Sequence, residues 1–259
     1  MPTDLFSIAG KTAVVTGGSR GIGFMIATGF VEAGARVYIS SRKADACEAA
    51  VAELTKSGGE AFAIPADLST VEGTETLAQG VQERESEVHI LVNNAGAAWG
   101  VPIDEYPESG WDKTMDTNVK GVFFLTQAML PLLRKAGTAE DPARVINISS
   151  IEAFQVPLWE NYAYPASKAA VAQLTKHLAK MLASDNITVN ALAPGLFPSR
   201  MTKFVFDNDE IASEVANRIP LGRAGEPEDM AGPAIFLSSR AGAWLTGSII
   251  VVDGGALVS

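Results

Sequence analysis

The sequence has a single cysteine, Cys47, so no disulfide can form within the chain. It has no long apolar run either. A membrane span needs roughly 18 apolar residues, and the longest uncharged stretch, residues 88–103, is interrupted by Asn, Gly and Pro. No apolar signal segment follows the N-terminus. From these features we expect a cytoplasmic protein without a membrane partner.

Basic residues are outnumbered, with 20 Lys and Arg against 30 Asp and Glu, which gives a net charge of −10. A nucleic acid or an anionic membrane surface is therefore not expected as a partner. The remaining composition is that of a globular protein, with 259 residues of which 47% are hydrophobic. One α/β domain can use all of that length, so residues 1–259 are interpreted as one domain.

Short apolar segments alternate with segments of helical periodicity along the whole chain. Alternation of this kind predicts a parallel sheet with right-handed crossovers. The predicted strands are residues 12–15, 35–40, 61–66, 88–92, 144–148, 187–192 and 248–252, and the predicted helices include residues 44–55, 71–83, 111–133 and one that begins near Tyr164.

A glycine-rich loop, residues 16–23, joins the first predicted strand to the first predicted helix. Such a joint directs free backbone N–H groups and the positive end of a helix at one point, where an anion belongs. Glycine turns are common, but this position between a strand and a helix is the context that identifies a dinucleotide pyrophosphate site. The candidate residues are Gly17, Ser19, Arg20, Gly21, Ile22 and Gly23.

The second strand ends in Ser40, Ser41, Arg42 and Lys43, with no acidic residue. An acid at this position reads the ribose 2′-hydroxyl of NAD, whereas an arginine accommodates the 2′-phosphate of NADP. With Arg20 nearby, the pattern favours NADP(H) over NAD(H). The alternative is that Arg42 and Lys43 are surface charges that open a helix, although cations are slightly unfavourable there.

Two further segments follow predicted strands, at the edge where open α/β sheets bind ligands. Asp67, followed by Leu68, is expected to contact the adenine, to cap a helix, or both. Asn93, Asn94, Ala95 and Gly96 end the fourth strand, where a turn alone would also explain the two asparagines.

Tyr164 and Lys168 lie four residues apart, a spacing that places both on one face of a helix. Pro165 is tolerated only in a first turn, so Tyr164 should lie at the helix start. A neighbouring ammonium favours the phenolate, so the pKa of Tyr164 is expected to fall from about 10 toward neutral. A tyrosine of that kind can exchange a proton with a carbonyl oxygen.

Together these motifs resemble the short-chain dehydrogenase/reductase family over essentially the whole chain. The resemblance is carried by residues 16–23, residues 93–96, Asn118, Ser150, Tyr164 and Lys168, Pro194 and Gly195, and residues 252–255. It implies a single-domain, doubly wound Rossmann-type sheet with helices on both faces, and a homodimer or homotetramer.

The resemblance also implies roles for individual residues. Tyr164 is the general acid in reduction and the base in oxidation, Lys168 holds the nicotinamide ribose and tunes Tyr164, Ser150 binds the carbonyl oxygen, and Asn118 anchors a water. Cofactor contacts are implied for Ser41, Arg42, Asp67, Leu68, Asn94, Ala95, Gly96, Pro194 and Gly195 as well as for the glycine loop, and no metal is implied. Of the adjacent Ser149 and Ser150 only one is expected to face the site, and Ser150 matches the family motif. Tyr162 lacks a lysine four residues on.

Two segments next to these motifs, residues 151–161 and 196–206, are rich in large apolar residues for predicted loops. They carry Phe154, Val156, Leu158, Trp159, Phe197, Met201, Phe204, Val205 and Phe206. Either these residues pack on the domain or on a partner subunit, or they form an apolar pocket with a mobile lid. The second interpretation favours an acyl chain or ring over a small polar sugar.

The sequence therefore supports an NADPH-dependent reductase of a small, apolar carbonyl substrate. The overall pattern is similar to bacterial 3-oxoacyl-(acyl-carrier-protein) reductases, including the branch associated with rhamnolipid synthesis. One alternative is a dehydrogenase of a ring or sugar alcohol with the same four residues. Another is a non-catalytic dinucleotide sensor, which would not need the proton-transfer residues.

Overall fold

Seven parallel strands form one sheet in the computed structural model, which describes residues 4–157 and 159–259. The strands are β1 Thr12–Thr16, β2 Arg36–Ser40, β3 Ala61–Ala63, β4 Ile90–Asn93, β5 Ala143–Ile148, β6 Ile187–Pro194 and β7 Ile249–Val252. Their order across the sheet is β3-β2-β1-β4-β5-β6-β7. The predicted α/β class with a Rossmann-type parallel sheet is confirmed.

Helices connect the strands on both faces of the sheet. They are α1 Gly21–Glu32, α2 Ala44–Leu54, α3 Val71–Gln82, α4 Glu108–Met115, α5 Gly121–Ala136, α6 Ala163–Leu182, α7 Lys203–Phe206, α8 Asp209–Asn217 and α9 Pro227–Ser238. The helix predicted over residues 111–133 is helical throughout, but the π-helical turn Asp116–Lys120, which was not predicted, lies within it between α4 and α5. The third strand is also shorter than predicted, and α7 and α8 were not predicted.

Alternate strand residues face two separate apolar layers, as the pleat of a strand requires. Ala13 and Val15 of β1 face the layer that contains α1, α2 and α9. Val14, between them, faces the layer that contains α3, α5 and α6. Burial on both faces explains why the strand sequences are continuously apolar rather than alternating.

The topology opens a crevice between β1 and β4. From β1 the chain leads to α1 on one face of the sheet, and from β4 it leads to α4 and α5 on the other. The carboxyl ends of these neighbouring strands are where an open α/β sheet binds ligands. Among the residues described, no helix combines the length and the apolar character that a bilayer crossing needs.

Candidate active site

A cleft of about 850 Å³ runs along the carboxyl ends of β1, β4, β5 and β6. Most of the residues predicted from the sequence line it: Gly17, Ser19, Arg20, Gly21, Ile22, Ser41, Arg42, Asp67, Leu68, Asn94, Ala95, Gly96, Ser150, Tyr164, Lys168, Pro194 and Gly195. Two predicted residues, Gly23 and Asn118, lie behind this lining and shape it from inside the fold.

The glycine loop approaches the end of β4 so closely that Gly17 and Gly23 have no room for a side chain. Gly17 has a φ of +65°, and a Cβ built on it would lie 2.7 Å from Nδ2 of Asn94. A Cβ on Gly23 would overlap the same amide and the carbonyl of Gly17. α1 begins at Gly21 without a side-chain cap, so the first N–H groups of the helix remain available to an anion.

The Thr16 hydroxyl holds the two sides of this crevice together, a role that the sequence analysis did not identify. It donates to the carbonyl of Val92 at 3.2 Å and accepts the N–H groups of Asn94 and Ala95 at 2.8 and 2.9 Å. In return Nδ2 of Asn94 donates to the carbonyl of Thr16 at 2.7 Å. Asn93, one residue earlier, instead points into the core, where it bonds Thr126 and Asn147.

One end of the cleft is cationic. Arg20, Arg42 and Lys43 are exposed there, and within the described parts of the chain none of the three pairs with a carboxylate. The hydroxyl of Ser40 lines the same end, buried and without a partner among these residues. Buried polar groups are normally hydrogen-bonded, so this end fits a polar, anionic ligand group.

Asp67 also lines this end, but the expectation that it caps a helix is wrong. Its carboxylate accepts the backbone N–H and the hydroxyl of Ser69 at 3.1 and 2.8 Å, which closes a local turn. The cap of α3 is Thr70, whose hydroxyl accepts the N–H of Gly73 at 3.0 Å.

Tyr164 and Lys168 lie at the opposite end of the cleft, in the first turns of α6, with Pro165 between them. The Lys168 side chain is 4% exposed; its Nζ donates to the carbonyl of Ile148 at 2.7 Å and lies 5.5 Å from the centre of the Tyr164 ring. Tyr162 is directed elsewhere, because its exposed hydroxyl donates to Glu160 at 3.0 Å.

The two adjacent serines have different partners. The hydroxyl of Ser149 donates to the carbonyl of Lys168 at 3.0 Å, so its proton is already engaged. The hydroxyl of Ser150 accepts the backbone N–H of Glu152 at 3.2 Å. That bond uses only a lone pair of Ser150, so its own proton can be donated to the Tyr164 oxygen or to a ligand in the cleft.

Asn118 is buried in the π-helical turn between α4 and α5. Its Oδ1 accepts the N–H of Ala97 at 2.7 Å, and its Nδ2 donates to the carbonyl of Ala97 and to the Ser167 hydroxyl, each at 2.9 Å. A Cβ built on Gly96 would lie 3.5 Å from Oδ1 of Asn118 and 3.8 Å from Nζ of Lys168. Asn118 therefore fixes the backbone beside the Lys168 ammonium.

The pKa of Tyr164 is shifted in the direction opposite to the one expected from the sequence. Burial, followed by the charge of Glu152, raises the pKa of Tyr164 to about 12, and a hydrogen bond with Ser150 opposes this rise. Burial also lowers the pKa of Lys168 to about 8. The expectation of a lowered tyrosine pKa is wrong because it considered only the lysine cation and neither burial nor Glu152.

The apolar residues of the two flanking segments divide between core and surface. Phe197 and Val205 are buried in the body of the domain. Trp159 and Phe204 are about half exposed and meet edge to face, with ring centres 5.0 Å apart, and Met201 lines the cleft. Phe154 and Val156 are exposed, whereas Leu158 lies outside the described residues. Packing on the domain is therefore confirmed for Phe197 and Val205, whereas the apolar pocket with a mobile lid stays a prediction.

Comparisons with known proteins agree with this geometry. A family model described as enoyl-(acyl carrier protein) reductase matches residues 17–256. The rhamnolipids biosynthesis 3-oxoacyl-(acyl-carrier-protein) reductase of Pseudomonas aeruginosa is 50% identical over 250 residues, 96% of this chain and 97% of that protein. The 5-keto-D-gluconate 5-reductase of Escherichia coli is 36% identical over 258 residues, 99% of each. The solved Pseudomonas aeruginosa RhlG/NADP active-site complex superposes with a TM-score of 0.94 at 49% identity over 98% of each chain.

Replacing Lys168 by Met is expected to stabilise the fold, because the substitution removes a buried ammonium group. Burial lowers the pKa of Lys168 from 10.5 to about 8, so between these values the unfolded chain binds more protons than the folded protein. The increase in the free energy of unfolding is therefore complete below about pH 8 and disappears as the pH rises to 10.5. Removing the buried charge contributes about 3 kcal/mol to this increase, and the lost hydrogen bond to Ile148 subtracts about 1 kcal/mol.

Urea unfolding of both proteins across this pH range measures the difference in the free energy of unfolding. Lys176→Met, at an exposed position on the same helix, is the control, and its difference from the parent protein should not change with pH. A Lys168→Met difference that is equally independent of pH would contradict the assignment of a buried, destabilising charge.

Proposed function

The chain belongs to the short-chain dehydrogenase/reductase family, and on that premise we propose that it reduces a ketone carbonyl to a secondary alcohol with NADPH. The observation that carries the proposal is the convergence of Ser150, Tyr164 and Lys168 at one end of the cleft. The hydroxyls of Ser150 and Tyr164 can there donate to one substrate oxygen, and the ammonium lies behind the phenol ring. A carbonyl oxygen that gains negative charge is stabilised by such donors.

In this reaction Tyr164 transfers its proton to the carbonyl oxygen as general acid. Ser150 donates a hydrogen bond to the same oxygen, using the proton that its contact with Glu152 leaves available. NADPH supplies the hydride for the carbonyl carbon when it is bound. Lys168, with its pKa lowered to about 8, is a source from which the phenolate can regain a proton.

Asn118 is assigned a positioning role. The family resemblance implies that Asn118 anchors an ordered water, but both polar groups of its side chain are already hydrogen-bonded to Ala97 and Ser167. A water at this position would therefore bind its backbone rather than its side chain. The side chain instead holds the segment after β4 against α6, and so fixes the surroundings of Lys168.

The cationic end of the cleft supports NADP(H) as the cofactor. Arg20 and Arg42 would hold the 2′-phosphate, and the uncapped start of α1 would hold the pyrophosphate. The absence of room for side chains at Gly17 and Gly23 fits the close approach of a dinucleotide. The similar structure of RhlG was solved with NADP, which agrees with this assignment.

Among carbonyl substrates we favour a 3-oxoacyl thioester. Met201 lines the cleft, and the partly exposed rings of Trp159 and Phe204 lie in the two segments that flank it, so apolar surface is available to an acyl chain. The 50% identical relative carries the name of a 3-oxoacyl reductase. A keto-sugar acid is the second candidate, because the 36% identical relative is named a 5-keto-D-gluconate reductase. A non-catalytic sensor is disfavoured, since it would not need the proton-transfer residues.

We further propose that the protein is a cytoplasmic homo-oligomer. Two described surfaces expose large apolar side chains. One, beside β7, includes Trp244, which is 98% exposed, and Val258. The other, on α4 and α5, includes Trp111 and Phe123. Large apolar side chains exposed at a surface commonly mark a subunit interface.

The substrate proposal predicts that NADPH is consumed with 3-oxoacyl thioesters in preference to cyclic ketones and keto-sugars. Tyr164→Phe should lower kcat by about two to four orders of magnitude, because it removes the proton donor, while NADPH binding is retained. Absorbance of NADPH measures the rate. Faster turnover of a keto-sugar acid would support the second candidate instead, and NADPH binding without turnover of any carbonyl would support the sensor.

The cofactor proposal predicts that removing the cations weakens the binding of NADPH more than the binding of NADH. Arg20→Ala and Arg42→Ala should each raise the Kd for NADPH by about tenfold, the loss expected for one charged hydrogen bond. The Kd for NADH should stay within about twofold, because NADH lacks the phosphate that these side chains contact. Fluorescence titration measures both, with Lys56→Ala on the exposed surface as the control. Equal losses for the two cofactors would contradict a 2′-phosphate site.

The oligomer proposal predicts a dimer or tetramer in light scattering at micromolar concentration. Trp244→Glu and Phe123→Glu each place a charge on one of the two apolar surfaces, and each should dissociate only the interface that its surface forms. A tetramer that becomes a dimer with either variant would show that both surfaces are subunit interfaces. A clean monomer of the unmodified protein would contradict the proposal.

A further inference from the structure

Glu152 is a carboxylic acid beside the active site to which the mechanism above gives no role. It lies two residues after Ser150, in the short 3-10 helix Ile151–Ala153, and is half-buried. Its backbone N–H donates to the Ser150 hydroxyl at 3.2 Å. The carboxyl group is therefore carried by the turn that also orients Ser150.

Asn161 holds this carboxyl group in place. Its Nδ2 donates to Oε2 of Glu152 at 3.0 Å, and its backbone carbonyl accepts the N–H of Tyr164 at 2.8 Å. The contacts of Asn161 therefore connect the turn that carries Ser150 to the start of the helix that carries Tyr164. Oδ1 of Asn161 is buried without a partner among the described residues, which is normally unfavourable. The amide is thus oriented toward Glu152 at a cost in its own hydrogen bonding.

Two charged groups of the described chain act on Tyr164 from different elements. The Lys168 ammonium lies 5.5 Å from the ring centre, within α6. The Glu152 carboxylate acts from the 3-10 helix, and burial, followed by the charge of this carboxylate, raises the pKa of Tyr164. Burial raises the pKa of Glu152 itself, while the Asn161 hydrogen bond lowers it. The Asn161 contact therefore favours the charged form that acts on Tyr164.

We propose that Glu152 is a positioning residue for proton transfer: held by Asn161, its carboxylate opposes ionisation of the Tyr164 hydroxyl and keeps that hydroxyl a proton donor. The inference rests on the function proposed above, in which Tyr164 donates during carbonyl reduction. Alcohol oxidation needs the phenolate as base, so Glu152 confines oxidation to more alkaline solution. The overall equilibrium constant is unaffected, because both directions depend on the same ionisation.

The test is the pH dependence of kcat/KM in Glu152→Gln, measured for reduction of the best carbonyl in the panel and for oxidation of its alcohol. Glutamine keeps an oxygen that can accept from Asn161 and removes the charge. The rising limb for oxidation should move to lower pH by about half to one unit, which raises oxidation at neutral pH by about three- to tenfold. The falling limb for reduction should move by the same amount.

Two further variants separate charge from structure. Glu160→Gln removes a nearby exposed carboxylate that bonds Tyr162, and both limbs should stay in place. Asn161→Ala leaves the charge and removes the contact that holds it, so the limbs should move less than in Glu152→Gln. A Glu152→Gln enzyme whose rate falls equally at every pH, with unmoved limbs, would overturn the proposal and leave Glu152 a merely structural role.

A second readout keeps the inference testable if the panel contains no substrate. Phenolate absorbance, taken as the difference from Tyr164→Phe in the same background, reports ionisation of Tyr164 without turnover. In Glu152→Gln the phenolate should form at lower pH than in the unmodified protein. A phenolate titration curve that is unchanged by Glu152→Gln would overturn the inference. Absence of turnover alone would instead count against the proposed function.

Discussion

The cleft depends on the hydrogen bonds of Thr16, which join β1 and β4 where the chain leaves them toward opposite faces of the sheet. Its hydroxyl bonds Val92, Asn94 and Ala95, and its carbonyl accepts from the Asn94 side chain. These contacts satisfy backbone groups that the sheet no longer pairs. They also bring the Asn94 amide so near the glycine loop that a side chain at Gly17 or Gly23 has no room. The shape of the cofactor end follows from this one connection.

Features encoded by neighbouring residues could be predicted from the sequence, whereas features that join distant segments could not. The spacing of Tyr164 and Lys168 and the position of Pro165 are local, and the structure has the two side chains together at the start of α6. The contact between Thr16 and Asn94 spans 78 positions, and no pattern in either segment predicts the other as its partner. The fold class could be predicted for the same reason as the position of Tyr164, because strand and helix periodicity are also local patterns in the sequence.

The π-helical turn at Asn118 shows a second limit of prediction from the sequence. Apolar residues recur through residues 111–133, so periodicity predicts one helix, and nothing in the composition marks an i→i+5 turn within it. The turn is recognisable only through the partners of the buried Asn118, which lie 21 and 49 positions away. The pKa of Tyr164 was misjudged on similar grounds. Lys168 is visible from spacing, whereas burial and the charge of Glu152 depend on the folded surroundings.

The catalytic part of the cleft and the two segments that flank it are built in different ways. Hydrogen bonds between the sheet, α6 and the π-helical turn position Lys168 and Asn118. The two flanking segments, residues 151–161 and 196–206, instead meet through the edge-to-face pair Trp159 and Phe204, both half exposed. Relatives named for 3-oxoacyl and for keto-gluconate reduction both match this chain over nearly its whole length, as expected where one fold carries different substrate specificities.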